Sequence, residues 1–259
     1  MTEKQRLFGI DIDSLRMPQA VRVIQDWLHD TQAKCRFVVT PNVDHAVMLQ
    51  TNDGLRTAYR DASLVLADGH PLIWASRILR RPLPERVPGS DLVPRLFDAC
   101  NDRNNRVRVF LLGAAPGVAA TAAEKIHARW PGVEVVGVYS PPMGFEKSDD
   151  ENELILGRLI LTKPDLLVVG LGAPKQELWV QRFADQLPCR AALCVGATID
   201  FLAGEKRRAP RWMQRMGVEW LHRMLSEPRR LVKRYAKDAW VFPQLVVQQM
   251  LGRPFRHIA

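Results

Sequence analysis

Six short apolar runs recur along the chain, and longer segments with helical periodicity separate them. The runs lie at residues 37–39, 64–66, 107–112, 133–138, 166–169 and 192–195. They are continuously apolar rather than alternating, which is typical of strands that are covered by helices on both faces. The pattern therefore predicts an α/β fold with a Rossmann-like, doubly wound and mainly parallel sheet.

The composition changes sharply after Gly204, where strand signals stop and basic residues accumulate. Residues 205–259 hold thirteen Lys and Arg against four Asp and Glu, whereas residues 1–204 hold twenty-four of each sign. The net charge of +9 therefore comes entirely from this segment. We predict an α/β catalytic domain over 1–204 and a basic helical appendage over 205–259.

The basic segment needs an anionic partner, for which nucleic acid, anionic phospholipid or a phosphorylated substrate are the usual candidates. Its cations interleave with Trp, Met, Leu and Tyr in a basic amphipathic pattern that suits a membrane surface. The alternative is a helical pair packed on its own core with a solvated basic face. The cations are Arg208, Arg211, Arg215, Arg223, Arg229, Arg230, Lys233 and Arg234.

Export and membrane-spanning signals are not evident in the sequence. The N-terminal stretch lacks the apolar core of a signal peptide, and no run approaches the ~20 apolar residues that span a bilayer. The four cysteines are scattered without a metal-binding spacing, which suits a reduced cytosolic protein. We expect a cytoplasmic protein that contacts the membrane only peripherally, at its inner face.

Glycines and polar residues follow the predicted strands, where α/β sheets bind ligands. Gly113, Gly170 and Gly172 end strands and lead toward helices, so their loops could bind a diphosphate through backbone N–H groups. The alternative is a tight turn, since neither a complete GxGxxG nor a GxxxxGK[ST] motif is present.

A second set of candidates follows the first two strands. Asp68 stands between Ala67 and Gly69 and could act as a general base, or it could cap the helix that starts near His70. Thr40, Asn42 and Asp44 could bind sugar hydroxyls, or they could be capping residues. The residues alone leave both pairs of alternatives open.

Asp11 and Asp13 form a DxD pair, the spacing by which many nucleotide-sugar enzymes hold a divalent cation. The pair lies before the first strong strand, outside the predicted site edge. We therefore interpret both residues as turn and cap residues, and we expect neither a metal nor another cofactor.

In the order and content of these motifs the chain resembles the WecG/TagA/CpsF family of glycosyltransferases, from Phe8 to about Tyr235. The resemblance rests on residues 40–42 with Asp44, 67–69, 85–87 with Gly89 and Asp91, Gly113, 170–177, Gly196 with Asp200, 208–210, 219–220, Arg223, 227–231 and 234–235.

The resemblance implies an inverting transfer of sugar from a UDP donor to an undecaprenyl-diphosphate-linked saccharide, in exopolysaccharide or cell-surface polysaccharide biosynthesis. UDP-glucose, UDP-N-acetylmannosamine and its uronic acid are the implied donors, and no metal is firmly assigned. An anionic membrane surface is the further implied partner, and association into a homo-oligomer is left open.

The resemblance also assigns roles to individual residues. Asp68 would be the base, with Thr40 and Asn42 on the acceptor side, and the basic appendage would dock on the membrane. The glycine loops with Gln176 and Glu177 would face the donor, and Arg223 and Arg230 would close the site. The full set of remaining substrate-binding residues would be Asp44, Gly69, Gly113, Gly172, Lys175, Gln176, Glu177, Gly196, Arg223 and Arg230.

Two other functions compete with this interpretation. A nucleotide-dependent oxidoreductase would suit the sheet and the 170–172 loop, but the chain lacks the full dinucleotide fingerprint. A nucleic-acid-binding protein would use the basic segment, although no recognised binding motif accompanies it. We therefore expect no nucleic acid partner.

Overall fold

The computed structural model describes residues 3–30, 34–206 and 208–252. Its strands are β1 (Lys4–Leu7), β2 (Ile10–Asp13), β3 (Arg36–Val39), β4 (Leu64–Val65), β5 (Val107–Gly113), β6 (Val133–Tyr139), β7 (Leu166–Gly170) and β8 (Ala191–Cys194). Its α-helices are α1 (Met17–His29), α2 (Val43–Met48), α3 (Asp53–Asp61), α4 (His70–Ile78), α5 (Gly89–Ala99), α6 (Val118–Arg129), α7 (Asp149–Thr162), α8 (Lys175–Phe183), α9 (Thr198–Ala203), α10 (Arg211–Met216), α11 (Glu219–Ser226) and α12 (Pro228–Met250). A 3₁₀-helix covers Phe145–Lys147.

All six predicted strands are present and form one parallel sheet in the order β4-β3-β8-β7-β5-β6. Successive residues of each strand point to opposite faces, and helices cover both faces. One face packs on α2, α3, α4, α7, α8 and α12, and the other packs on α1, α5, α6 and α9. The predicted doubly wound, Rossmann-like α/β fold is confirmed.

An antiparallel hairpin of β1 and β2 precedes the sheet, and the pattern of apolar runs did not predict it. Asp11 and Asp13 lie on β2, so their interpretation as turn and cap residues was wrong. The buried carboxylate of Asp13 accepts a 2.9 Å hydrogen bond from the backbone N–H of Val65 and lies 3.6 Å from Lys4 Nζ. This acid therefore joins the hairpin to strand β4, because a buried carboxylate needs donors around it.

The loops after β5 and β7 approach each other so closely that a side chain would not fit. A Cβ atom on Gly113 would lie 2.5 Å from the backbone carbonyl of Gly170, and Gly113 has a φ of +119°. Both restrictions exclude residues with a side chain at this position. Packing against Gly170 therefore requires glycine at position 113, whether or not this loop also binds a ligand.

After Gly204 the described part of the chain forms helices α10, α11 and α12, and the last of these also belongs to the main core. Val241, Phe242 and Leu245 of α12 are buried in the same cluster as Phe8 of the hairpin turn, and the two phenyl rings lie 5.1 Å apart. Gln249 accepts a 2.8 Å hydrogen bond from the backbone N–H of Phe8. The domain boundary at 204/205 stays a prediction, and α12 is packed as a part of the core.

Candidate active site

A cavity of about 380 Å³ lies at the carboxyl edge of the sheet, between the α/β layers and the C-terminal helices. The loops that follow β3 and β4 form one wall, and α11 and α12 form the opposite wall. Its charged lining residues are Asp44, Asp68, Arg208, Glu219, Arg223, Arg234 and Asp238, and its aromatic lining residues include Phe201, Trp220, Tyr235 and Phe242.

Asp68 lies at the end of β4 and lines this cavity. Gly69 is the N-cap of α4, with a φ of +123°, so the alternative role of Asp68 as the helix cap is not observed. The Asp68 backbone N–H donates to the carbonyl of Pro41 at 2.7 Å, which fixes the loop against the end of β3. Among the described residues no group donates a hydrogen bond to its carboxylate.

Burial raises the pKa of Asp68 to about 6. The nearby charges of Arg86 and Arg223 act in the opposite direction, and that of Glu219 adds to the increase. A carboxylate of this kind is ionised at neutral pH but binds a proton more tightly than an exposed aspartate does. It therefore has the proton affinity that suits a general base.

A network of ion pairs joins the C-terminal helices to the α/β layers beside Asp68. Arg86 donates to Glu219 of α11 at 2.8 Å, and Arg208 pairs with Asp91 of α5. Arg208 also lies 4.0 Å from Glu219. The chain before α5 and the chain after α9 are thereby held against each other, so the wall of the cavity is formed by residues far apart in sequence.

Arg223 differs from these arginines because no described carboxylate lies within ion-pair distance of it. It lines the cavity and its charge acts on Asp68. A guanidinium without a protein partner is available for a phosphate group. Arg223 therefore has the surroundings expected of a substrate-binding arginine, whereas the side chain of Arg230 lies outside the described part of the structure.

Asn42 in the loop after β3 and Asp44 in the first turn of α2 line the cavity, whereas Thr40 does not. Asn42 caps α2 by accepting from the backbone N–H of His45 at 3.3 Å, and Asp44 lies 3.4 Å from Arg234 Nε. Thr40 is buried, and its hydroxyl donates to the carbonyl of Cys194 at 3.1 Å. Asn42 thus both caps α2 and lines the cavity, while Thr40 joins β3 to β8.

Gln176 and Glu177 form a buried network behind the cavity rather than in its wall. Gln176 donates to Glu177 at 2.7 Å and accepts from the backbone N–H of Gly196 at 3.1 Å. Glu177 is fully buried, and its Oε1 lies 3.4 Å from His45 Nε2. Burial lowers the pKa of His45, but the hydrogen bond and charge of Glu177 outweigh it, so the pKa is raised overall.

The other predicted binding residues lie on the same edge of the sheet, on the loops after β7 and β8. Gly172 and Gly196 both have positive φ, and a Cβ atom on either would meet open space. Lys175 pairs with Glu146 at 3.2 Å. The parallel sheet thus brings the glycine loops to the edge that carries Asp68, but none of these three residues lines the cavity.

The sequence motifs did not indicate Asp238, Arg234 or Arg86 as site residues, although the structure places all three in or beside the cavity. The signal for Asp238 in the sequence was its negative charge, because it is one of only four acidic residues in a segment with thirteen basic residues. An isolated acid does not indicate its tertiary neighbours. Among the described residues, no group of three or more His, Cys, Asp and Glu side chains could hold a metal ion.

A parallel α/β sheet with a desolvated carboxylate and arginines in one cavity is typical of enzymes that act on phosphorylated substrates. The chain belongs to the glycosyl transferase WecG/TagA/CpsF family, whose model matches residues 5–256. It is therefore a glycosyltransferase, which argues against the oxidoreductase and nucleic-acid-binding alternatives.

Two relatives from Staphylococcus aureus each align with this chain over 230 residues. The chain is 30% identical over 230 residues to the N-acetylglucosaminyldiphosphoundecaprenol N-acetyl-beta-D-mannosaminyltransferase of strain MRSA252, which covers 89% of this chain and 87% of the relative. The protein of the same name from strain MW2 is also 30% identical, with the same coverage of both chains. The acceptor in the name of these relatives is linked to undecaprenol through a diphosphate.

Proposed function

We propose that this protein transfers N-acetylmannosamine from its UDP donor to a saccharide linked to undecaprenyl diphosphate. The observation that carries the proposal is the Asp68 carboxylate, which lies in a cavity beside Arg223, without a hydrogen-bond donor among the described residues. The names of the relatives support the choice of sugar and acceptor. The product would enter a bacterial cell-surface or extracellular polysaccharide.

The reaction is a single displacement at the anomeric carbon of the donor sugar. Asp68 takes the proton from the acceptor hydroxyl, and the oxygen forms a bond to the anomeric carbon as the bond to UDP breaks. The electron pair of that bond leaves with the diphosphate. Because the oxygen attacks from the face opposite the diphosphate, the anomeric configuration is inverted. Asp68 loses the proton to solvent before the next turnover.

The negative charge on the departing diphosphate needs stabilisation, and arginines are the cations that line the cavity. Among the described residues no carboxylate pairs with Arg223. Arg208 pairs with Asp91 and lies 4.0 Å from Glu219, and Arg234 pairs with Asp44. Backbone N–H groups of the glycine loops are further donors at this edge. We propose that these groups make a metal unnecessary, so turnover in EDTA should equal turnover in Mg²⁺.

A lipid-linked acceptor requires contact with the membrane surface, and the C-terminal helices have suitable residues. Nine of the fifteen large hydrophobic side chains that are exposed in the described residues lie after Gly204. No described helix is both long and apolar enough to cross a bilayer. We propose peripheral binding at the cytoplasmic face, by these apolar residues together with the basic residues between them.

The proposal is tested by offering UDP-N-acetylmannosamine, its uronic acid and UDP-glucose with a short-chain diphosphate-linked N-acetylglucosamine acceptor. The product is identified by mass for the wild type, for Asp68→Asn and for the control Asp185→Asn. Asp185 is a suitable control because its carboxylate is exposed and paired with Lys34. We expect N-acetylmannosamine transfer by the wild type and the control, and a loss of about 10²–10⁴-fold in Asp68→Asn with donor binding retained.

Three results would change the proposal in different ways. Near-normal turnover by Asp68→Asn would remove the base assignment. Transfer of glucose or the uronic acid alone would correct the donor and leave the site unchanged. Absence of transfer with every donor would remove the proposed function itself.

A further inference from the structure

Asp238 of α12 is a buried carboxylate that opens into the cavity and has no hydrogen bond or ion pair with another described residue. The residue is only 5% exposed, and it lines the cavity together with Asp44 of α2. An ionised carboxylate that is removed from water needs donors, or its burial is costly. None of the described protein groups supplies a donor to Asp238, so its carboxylate is available to a ligand in the cavity.

The charge of Asp238 restricts the chemistry of that ligand. A carboxylate repels phosphate groups and accepts hydrogen bonds from hydroxyl and N–H groups. Arg208 and Arg223 line the same cavity and suit phosphate instead. The cavity therefore combines cationic groups for a diphosphate with a pair of acids, Asp44 and Asp238, for the hydroxyl groups of a sugar.

The aromatic residues of the cavity agree with a sugar at this position. Trp220 and Tyr235 line the cavity, and their rings lie 6.3 Å apart in an edge-to-face arrangement. The C–H groups of a sugar ring pack on such apolar surfaces while its hydroxyls bind carboxylates. Aromatic faces and acceptor oxygens together are therefore the lining expected for a saccharide.

The placement of Asp238 on α12 favours the acceptor sugar over the donor sugar. Trp240, two positions further along this helix, is 74% exposed, and Val247 and Leu251 are also exposed at helical spacing from it. This outer face of α12 is the surface that suits the membrane. Positions 238 and 240 are about 200° apart around the helix, so α12 lies between this surface and the cavity. A sugar that is attached to a lipid enters the cavity beside this helix, whereas a nucleotide sugar arrives from solvent.

We propose that Asp238, together with Asp44, binds hydroxyl groups of the acceptor sugar and so determines which lipid-linked saccharide is used. The inference rests on the proposed function and deepens it. Asp238 is a substrate-binding residue in this assignment, and Asp68 remains the base. The Asp44 carboxylate is already paired with Arg234, so the larger effect on acceptor binding belongs to Asp238.

The first test compares Asp238→Asn with the wild type and with the exposed control Asp185→Asn, using the short-chain acceptor and a saturating donor. Loss of a hydrogen bond to a charged group predicts an acceptor KM that is about 10- to 100-fold higher. We expect the donor KM to stay within about twofold of the wild-type value. An unchanged acceptor KM, or an increase confined to the donor KM, would overturn the inference.

Thermal unfolding separates binding from a structural role. Burial, followed by the charge of Asp44, raises the pKa of Asp238 to about 6, against the smaller opposing effects of Arg234, Lys237 and His45. A carboxyl whose pKa is raised on folding loses stabilisation as the pH rises through that value. Asp238→Asn should therefore have a Tm at pH 8 equal to or above that of the wild type, with a smaller difference at pH 5. A large decrease in Tm at pH 8 would indicate a structural role.

The second test changes the acceptor as well as the protein. Acceptors that lack single hydroxyl groups on the terminal sugar are assayed with the wild type and with Asp238→Asn. For one deoxy acceptor, the wild type should show about the same decrease in kcat/KM as Asp238→Asn shows with the full acceptor. When Asp238→Asn is assayed with that deoxy acceptor, the two decreases should not add. Equal, additive losses for every deoxy acceptor would overturn the inference. Absence of any wild-type transfer would instead remove the proposed function, and this inference with it.

Discussion

Arg86 donates a 2.8 Å hydrogen bond to Glu219, which joins the segment before α5 to helix α11 at the edge of the cavity. The two residues are 133 positions apart in the sequence. Both also act on Asp68 through their charges, in opposite directions. The ion pair that holds the C-terminal helices in place therefore also adjusts the proton affinity of the proposed base.

The first prediction concerns the pH dependence of the wild type. Because Asp68 has to be ionised to accept a proton and burial raises its pKa to about 6, kcat/KM should increase with pH and level off above about pH 7. The measurement is kcat/KM for the acceptor between pH 4.5 and 8.5 at saturating donor. A profile that is already level at pH 5 would contradict the raised pKa.

The second prediction separates the two charges beside Asp68. Arg86→Gln removes a positive charge, so the acid limb of the profile should move to higher pH, while Glu219→Gln should move it to lower pH. Each variant is compared with the control Asp185→Asn, and its Tm is measured to confirm folding. Shifts in the same direction for both variants would exclude the electrostatic explanation.

The third prediction concerns removal of the C-terminal segment. A chain that ends at Gly204 lacks the buried side chains of Val241, Phe242 and Leu245. Each contributes about 1.5–3 kcal/mol when it is fully buried, while the whole stability of a domain is about 5–15 kcal/mol. We expect this truncation to unfold or aggregate, whereas a chain that ends after Leu251 should keep its Tm. A cooperative transition at the wild-type Tm for the shorter chain would show that residues 1–204 fold independently.

The fourth prediction concerns the exposed face of α12. The triple change Trp240→Ser, Val247→Ser and Leu251→Ser should reduce binding to vesicles that contain anionic phospholipid by at least about tenfold, because three apolar side chains are lost from the interface. The control is Leu161→Ser, whose side chain on α7 is 83% exposed. Vesicle sedimentation measures binding, and equal binding by the triple variant would exclude this face as the docking surface. Turnover with a short-chain acceptor should be unchanged.

The six strands could be predicted because their residues are continuously apolar, and a run with both faces buried has the same pattern in any fold of this class. The position of Asp68 followed from the same reasoning, since the carboxyl ends of parallel strands share one edge. The hairpin that contains Asp13 was missed. Its strands have four residues each and gain their stability from contact with β4, which no local pattern records.

The roles of the polar residues could not be decided from residue type. Thr40, Gln176 and Glu177 have the same donors and acceptors whether they bind a substrate or a neighbouring strand, and the structure buries all three behind the cavity. Burial depends on which elements pack above a loop. That information is distributed over contacts between distant parts of the chain.

The sequence by itself determined the α/β class, the edge of the sheet that carries Asp68 and the family resemblance, because these depend on local patterns and on the order of motifs. The tertiary structure alone decided that α12 is part of the core, that Arg86 and Glu219 join the two parts of the chain, and that Asp238 opens into the cavity. The physical reason is that burial and charge pairing arise between segments that are more than a hundred residues apart. Their energies are fixed only when the chain has folded.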